Sequence, residues 1–132
     1  METRIDLLPV DAEKVIEYLR RIDVEKSDTS AGAAIAENIC KSGYTFSVQE
    51  NGKTFAAYNL QIDNHGVAWI MAAGGGRAGV DLTSTVTPSI EAQARELGAR
   101  QIAFNTKRRG LVRKMERLGF SITSVTLRKN LQ

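Results

Sequence analysis

The sequence has little from which to build thiol or disulfide chemistry. A single cysteine, Cys40, stands among 132 residues. It excludes an internal disulfide framework and fits a reducing, cytoplasmic setting. A lone thiol needs an activating base to act as a nucleophile, and only one histidine, His65, is present. Cys40 therefore reads as a small buried core residue. No apolar run approaches the roughly 20 residues that span a bilayer. The opening METRIDLLPVDAEK has no apolar stretch of a secretory leader, so no membrane role is expected. Repeats, low-complexity tracts and linkers are missing too, which leaves one domain over residues 1–132.

Charge of neither sign dominates: 18 basic against 15 acidic residues leaves +3. The excess gathers late, in Lys107, Arg108, Arg109, Arg113, Lys114, Arg117, Arg128 and Lys129, with only Glu116 opposing them. A basic end can meet nucleic acid, a membrane surface or a phosphorylated cofactor. A solvated helix face is the simpler account of most of these residues. No aromatic is interleaved to stack bases, and no helix-turn-helix, zinc or RNP pattern appears, so nucleic acid is not an expected partner.

What is present is a regular alternation of strand and helix signals. Residues 3–8 suggest a strand ended by Pro9. Asp11 can cap a helix from Ala12 to about Arg21, in which Val15, Ile16, Leu19 and Ile22 recur at helical spacing. After the polar residues 25–30, a second apolar segment holds Ala33, Ala34, Ile35, Ile39 and Cys40, and Gly43 stops it. Tyr44, Phe46 and Val48 then alternate with polar residues, the period of a half-buried strand. Asn51-Gly52 is a strong hairpin signal, because both central residues of a type I′ turn need positive φ. Residues 55–62 return, Asn64-His65-Gly66 turns again, and residues 67–73 run back, which predicts an antiparallel meander.

Residues 74–79 (Gly-Gly-Gly-Arg-Ala-Gly) read as a glycine-rich loop before a helix that ends at Leu97, with Gly98 at C′. Pro88 leaves two starts open. A start at Asp81 places Pro88 inside the helix, where its ring clashes with the Ser84 carbonyl, but it suits the series Leu82, Val86, Ile90, Ala94. A start at Thr87 places Pro88 at the first helical position. Residues 101–105 predict a short strand. Residues 109–118 predict a helix with Leu111, Val112, Met115 and Leu118 on one face, closed by Gly119. Residues 120–127 predict a last strand. The order β-α-α-β-β-β-α-β-α-β gives an α/β layer fold.

The stretch EAQARELGARQIAFNT at residues 91–106, followed by GLVRKMERLGF at 110–120, resembles the later motifs of the GNAT superfamily of N-acetyltransferases. There a helix ending in A-x-x-x-G leads to a strand with a terminal Asn or Thr, and a helix then carries K-x-x-x-x-G-F into a last strand. Small GNAT-like proteins of bacteriophages are similar in length and in this block. The resemblance implies a mixed, mostly antiparallel central sheet flanked by helices, and acetyl-coenzyme A as the cofactor. It implies that the pantetheine arm pairs with free backbone groups of Ile70, Met71 and Ala72, where two strands splay. The pyrophosphate is then expected at the amides of Gly74, Gly75, Gly76, Ala78 and Gly79 and at the helix start, where clustered N–H groups and the helix dipole favour anions. Arg77 adds a charge-assisted contact, and Asn105, Lys107 and Arg108 match positions near the cofactor's far edge.

The sequence departs from the family at three places. The phosphate loop pattern Q/R-x-x-G-x-G/A fits no register here, since Met71 stands where Gln or Arg belongs. Met115 replaces the Tyr that often serves as general acid. Residues 67–73 contain no carboxylate to serve as the usual base. Glu50, Asp63 and His65 remain as base candidates, with Tyr44 or Tyr58 as acids. The expected catalytic set is Glu50, His65 and Tyr58. Two functions stay open: acetyl transfer from acetyl-coenzyme A to a primary amine of a small molecule or protein, and a GNAT-like structural or partner-binding protein without catalysis. A homodimer is a further expectation, because an edge strand such as residues 120–127 offers a pairing surface.

Overall fold

A computed structural model describes residues 5–20, 35–76 and 81–131. Five strands form one sheet in the order β1-β2-β3-β4-β5. They are β1 (Ile5–Pro9), β2 (Tyr44–Glu50), β3 (Lys53–Ile62), β4 (Val67–Gly75) and β5 (Gln101–Phe104). The first four pair antiparallel, and β5 runs parallel to β4. The helices are α1 (Ile16–Leu19), entered through a 3-10 turn at Ala12–Val15, α2 (Ala36–Ile39), α3 (Leu82–Glu96) and α4 (Arg109–Arg117). This is the expected mixed sheet flanked by helices.

The meander follows from its turns. Glu50 pairs with Lys53 across Asn51-Gly52, whose φ values of 51° and 86° are the two positive angles a type I′ hairpin requires. At the next turn Asp63 organises the chain. Its Oδ1 accepts from the amides of His65 (2.8 Å) and Val67 (3.0 Å), and its Oδ2 accepts from Trp69 Nε1 at 2.9 Å. These donors, the indole first, hold the Asp63 carboxyl below its usual range.

The strand alternation divides the sheet between two packed layers. Phe46, Val48, Ala56, Tyr58, Leu60 and Ala68 pack against Val86, Ile90 and Ala94 of α3. Ala57 and Ala72 pack on the other face with Val15, Leu19, Ala36 and Cys40. Cys40 is a buried core residue, as expected. Asn59 is fully buried, but its Nδ2 donates to Ser42 O (3.1 Å) and Thr45 Oγ1 (3.0 Å), and its Oδ1 accepts from Gln61. That satisfaction is what makes its burial affordable.

Of the two helix starts the sequence left open, the earlier one occurs. Asp81 caps α3: its carboxylate accepts from Ser84 Oγ at 2.9 Å and, more loosely, from Ser84 N at 3.5 Å. Pro88 lies inside the helix. Burial of Val86, Ile90 and Ala94 outweighs the lost backbone hydrogen bond.

Three expectations change. The expected first helix is a 3-10 turn followed by a single α turn, and Asp11 makes no side-chain cap bond; the expected end at Arg21 and the position of Ile22 lie outside the described residues. Ala33 and Ala34, expected in the second helix, lie outside them as well. β4 continues through Gly74 and Gly75, which pair with Ala57 and Ala56, so the expected loop begins two residues late. Residues 120–127 form no strand: they join neither the sheet nor a helix, and residues 121–131 are all exposed. Alternation predicted a strand correctly in β2, but no edge within the described chain pairs with this segment.

Candidate functional site

The site begins where two strands part. β5 is paired with β4 only from Val67↔Gln101 to Ile70↔Phe104. Past Ile70, β4 runs on to Gly75 bonded to β3 alone, while the chain after Phe104 turns away through residues 105–108 into α4. Among the described residues, the side of β4 facing β5 therefore carries backbone groups without a strand partner, a vacant edge of the kind that recruits an extended ligand.

A bulge sits at the fork. Asn59 pairs with Ala72 and Leu60 with Ile70, which leaves Met71 as an extra residue on β4. Burial reports the same event independently. Ala68 packs on the α3 side and Ala72, four residues on, packs on the α1 side. A regular strand would put both on one face. Bulges re-aim side chains and end pairing, and here the bulge coincides with the end of the β4–β5 ladder. No composition signal marks it.

A cavity of about 350 Å³ opens at this place. Ile70, Met71, Ala72, Ala73, Gly74 and Gly75 form its β4 wall, and Asn105, Thr106 and Arg108 its far lip. α3 contributes Thr83, Val86, Thr87 and Ile90, and α4 contributes Leu111 and Met115. Tyr58 of β3 stands in the same wall. Its ring stacks on Phe46 at 5.3 Å, its side chain is buried, and its hydroxyl has no hydrogen-bond partner among the described residues. Burial pushes that hydroxyl above its ordinary range, so it stays protonated and can only be used as a donor or a neutral acceptor.

Most of the expected cofactor residues thus converge. Ile70, Met71, Ala72, Gly74, Gly75, Asn105 and Arg108 line one cavity. Ile70 has Phe104 as its register partner on β5; among the described residues the stretch of β4 without a β5 partner starts at Met71. Lys107 is exposed and Gly76 follows the strand end, neither of them in the wall. Arg77, Ala78 and Gly79 lie outside the described residues. Gly75 has a structural reason to be glycine. Its φ is +115°, and a Cβ there would come within 2.4 Å of the Phe55 carbonyl oxygen and 2.5 Å of Ala56 Cα.

The expected catalytic residues do not converge. Tyr58 alone is in the wall. His65 lies in the turn before β4, at the end of the strand remote from Gly75, where its carbonyl accepts from Arg100 Nη2 at 2.7 Å. Glu50 ends β2 beside the Asn51-Gly52 turn and is not in the wall. Tyr44 is exposed.

Charge at the α3 start is arranged by Asp81. Lys114 of α4 donates to its Oδ1 at 3.0 Å. That ammonium first, and then the Ser84 hydroxyl, hold the carboxyl below its usual range. A carboxylate and a cation therefore already occupy the positive end of the helix dipole. Among the described residues there is no group of three or more His, Cys, Asp or Glu that could hold a metal ion. No helix among them is long and apolar enough to cross a membrane.

Neither a family model nor a curated protein matches the sequence. Solved structures do match the fold. A GNAT family acetyltransferase from Elizabethkingia anophelis with acetyl-CoA bound superposes with a TM-score of 0.69 at 14% identity, over 91% of this chain and 78% of that one. A Bacillus subtilis acetyltransferase in complex with CoA gives 0.66 at 17%, over 93% and 79%. The aminoglycoside N-acetyltransferase AAC(6')-Iy in complex with CoA gives 0.63 at 14%, over 98% and 96%. The chain has the GNAT acyl-CoA N-acyltransferase fold. At these identities the likeness speaks for the fold alone.

Proposed function

We propose that the cavity at the β4–β5 fork receives acetyl-coenzyme A and that the protein transfers its acetyl group to a primary amine. The observation that carries this reading is the fork itself: a β4 edge left open from Met71 onward, beside a cavity of about 350 Å³. An amide-bearing pantetheine arm can pair with such an edge as a strand would. Neighbours of the same fold hold CoA or acetyl-CoA, and one of them acts on aminoglycosides by its name. The amine acceptor is the natural partner class for this chain on the same grounds.

In the reaction the amine nitrogen attacks the thioester carbonyl carbon. An N–C bond forms, the C–S bond breaks, the amine gives up a proton and the leaving thiolate takes one. The site's contribution is positioning together with polarisation of the carbonyl. Met115 stands in the wall where the resemblance implied a proton donor, and a thioether donates nothing. Tyr58 takes up part of that role. Its hydroxyl, held protonated, donates to the thioester oxygen as charge develops there, in place of supplying the thiolate with a proton. The unmet hydrogen bond of Tyr58 then finds its partner in the ligand. Proton removal from the amine falls to solvent or to the amine's own exchange before binding, because neither Glu50 nor His65 reaches the wall.

A second reading has its own observation. Asp81 and Lys114 already occupy the α3 start, and a pyrophosphate there would meet a carboxylate. This favours a GNAT-fold protein that binds partners without catalysis. A thiol-release assay with acetyl-coenzyme A and a broad panel of primary amines separates the two. Release that depends on amine supports transfer. Cofactor binding without release for any amine supports the non-catalytic reading.

A further inference from the structure

The cavity at the fork does not end at β4. Its lining includes Ala56 of β3 and Val48 of β2, residues of the next two strands in the sheet order. The register explains the reach. Val48 stands opposite Ala56, and Ala56 stands opposite Gly75, so one row across three strands reads valine, alanine, glycine. The neighbouring row, two residues along, reads Phe46, Tyr58 and Ala73. Phe46, Val48, Ala56 and Tyr58 all pack toward α3, as side chains two apart on a strand share a face. Beside the stacked Phe46 and Tyr58 rings, the small row is a trough, roofed by Val86 and Ile90 of α3. Gly75 keeps its fork end open: a Cβ there would come within 2.5 Å of Ala56 Cα and 2.8 Å of Ala56 Cβ.

The lining is core-like. Val48, Ala56, Tyr58, Val86 and Ile90 are all buried, and every one of them except Tyr58 is wholly apolar. Protein interiors hold few voids larger than a water molecule, and an apolar lining forfeits contacts wherever nothing fills it. A trough of this kind, opening from a ligand cavity, suits an apolar part of the ligand. The Tyr58 hydroxyl, buried without a partner among the described residues, stands beside its floor and marks where a polar atom of that ligand belongs.

We propose that the trough receives the acyl chain of the donor, and that the preferred donor is the coenzyme A thioester of an unbranched acid longer than acetate, of the butyryl to hexanoyl class. The inference rests on the cofactor reading above. With the thioester oxygen at the Tyr58 hydroxyl, the chain beyond the carbonyl starts beside Ala56 and runs toward Val48. Two strand spacings separate β4 from β2, about 10 Å. A hexanoyl chain uses that reach, and the single methyl of acetyl leaves most of it empty. The lining also sets the chemistry of the chain. Val48, Ala56, Val86 and Ile90 offer nothing to an acidic acyl group such as succinyl, whose carboxylate would be buried without a partner. The transfer is otherwise the one already described. The amine nitrogen bonds to the acyl carbonyl carbon, the C–S bond breaks, the amine gives up a proton and the thiolate takes one.

Calorimetric titration of the full chain with acetyl-, butyryl-, hexanoyl- and succinyl-coenzyme A tests it. Affinity is expected to rise by about tenfold or more from acetyl to butyryl, the scale of burying the added methylenes, and hexanoyl should bind at least as tightly as butyryl. Succinyl should bind more weakly than butyryl. Ala56→Leu, which fills the trough floor, should reverse the order, so that acetyl binds more tightly than hexanoyl, with the thermal melt showing that the variant is folded. If that variant does not fold, Val86→Phe from the roof carries the same expectation, and the series on the unaltered chain decides even without either. Binding of acetyl-coenzyme A with butyryl and hexanoyl no tighter, or a preference for long chains that survives a folded trough-filling variant, overturns the acyl-chain inference and leaves the cofactor reading standing. Binding of none of the thioesters overturns both.

Discussion

The two sides of β4 are built differently. Toward β3 the strand is paired from Ala68 to Gly75, with one bulge. Toward β5 the pairing stops at Ile70. On the first side backbone groups are consumed by the sheet, and side chains such as Leu60 are sealed in the core. On the second side the same backbone is left open beside a cavity. One strand thus serves as a rigid wall and as a docking edge, and the bulge at Met71 marks the change. A substitution on the paired side should cost stability, and one on the open side should cost binding.

The largest effect is expected on the paired side. Leu60→Ala deletes a fully buried side chain and should destabilise the chain by about 2–5 kcal/mol, read as a lower chemical-denaturation midpoint. Tyr58→Phe tests the residue shared by both sides. Removing an unsatisfied buried hydroxyl should leave the free protein equally stable or up to roughly 1–3 kcal/mol more stable, while amine-dependent thiol release falls about 10- to 100-fold, at the scale of one lost transition-state hydrogen bond. A slower and less stable variant would mean that the hydroxyl has a structural partner instead.

On the open side, Thr83→Trp places an indole into the cavity from α3. It should weaken acetyl-coenzyme A binding about tenfold or more, which is about 1.4 kcal/mol, with stability changed by no more than about 0.5 kcal/mol. An equal loss of stability would erase the distinction between the sides. Asp81→Asn keeps a good helix cap and removes the charge nearest the proposed pyrophosphate position. Cofactor affinity measured by calorimetry should rise a few-fold. The smallest effect concerns acid. The Asp63 carboxyl is depressed by its Trp69 and amide donors, so the stability it contributes is present above the ordinary aspartate range and is lost as pH falls through its lowered value. Asp63→Asn should flatten that acid limb of the pH–stability profile, and an unchanged limb would assign it to other carboxylates.

Much of the paired side was legible in the sequence, because its signals are local. Asn51-Gly52, the alternation of Tyr44, Phe46 and Val48, and the Asn64-His65-Gly66 turn each specify their own geometry within a few residues. The closing glycines Gly98 and Gly119 did so for α3 and α4, with φ of 92° and 98°. The open side depends on long-range register. That β4 runs on through Gly74 and Gly75 follows from their pairing with Ala57 and Ala56. The bulge at Met71 follows from the fit of β4 against β3, and no residue type announces it. The start of α3 turned on whether burial of Val86 and Ile90 outweighs Pro88, a balance settled only by packing. Residues 120–127 show the limit in the other direction. Their pattern is that of a strand, but a strand also needs an edge, and pattern alone does not supply one. Among the catalytic candidates, Tyr58 was identifiable only as one of several tyrosines. What distinguishes it, a buried hydroxyl without a partner on the cavity wall, exists only in three dimensions.

The central claim is that the open side of β4 binds acetyl-coenzyme A. Calorimetric titration of the full chain with acetyl-coenzyme A and with desulfo-coenzyme A tests it most directly. The account expects saturable binding of one cofactor per chain, weakened by Thr83→Trp and unaffected by Tyr44→Phe, whose side chain lies outside the cavity wall. No heat at millimolar ligand, or binding indifferent to Thr83→Trp, would contradict it.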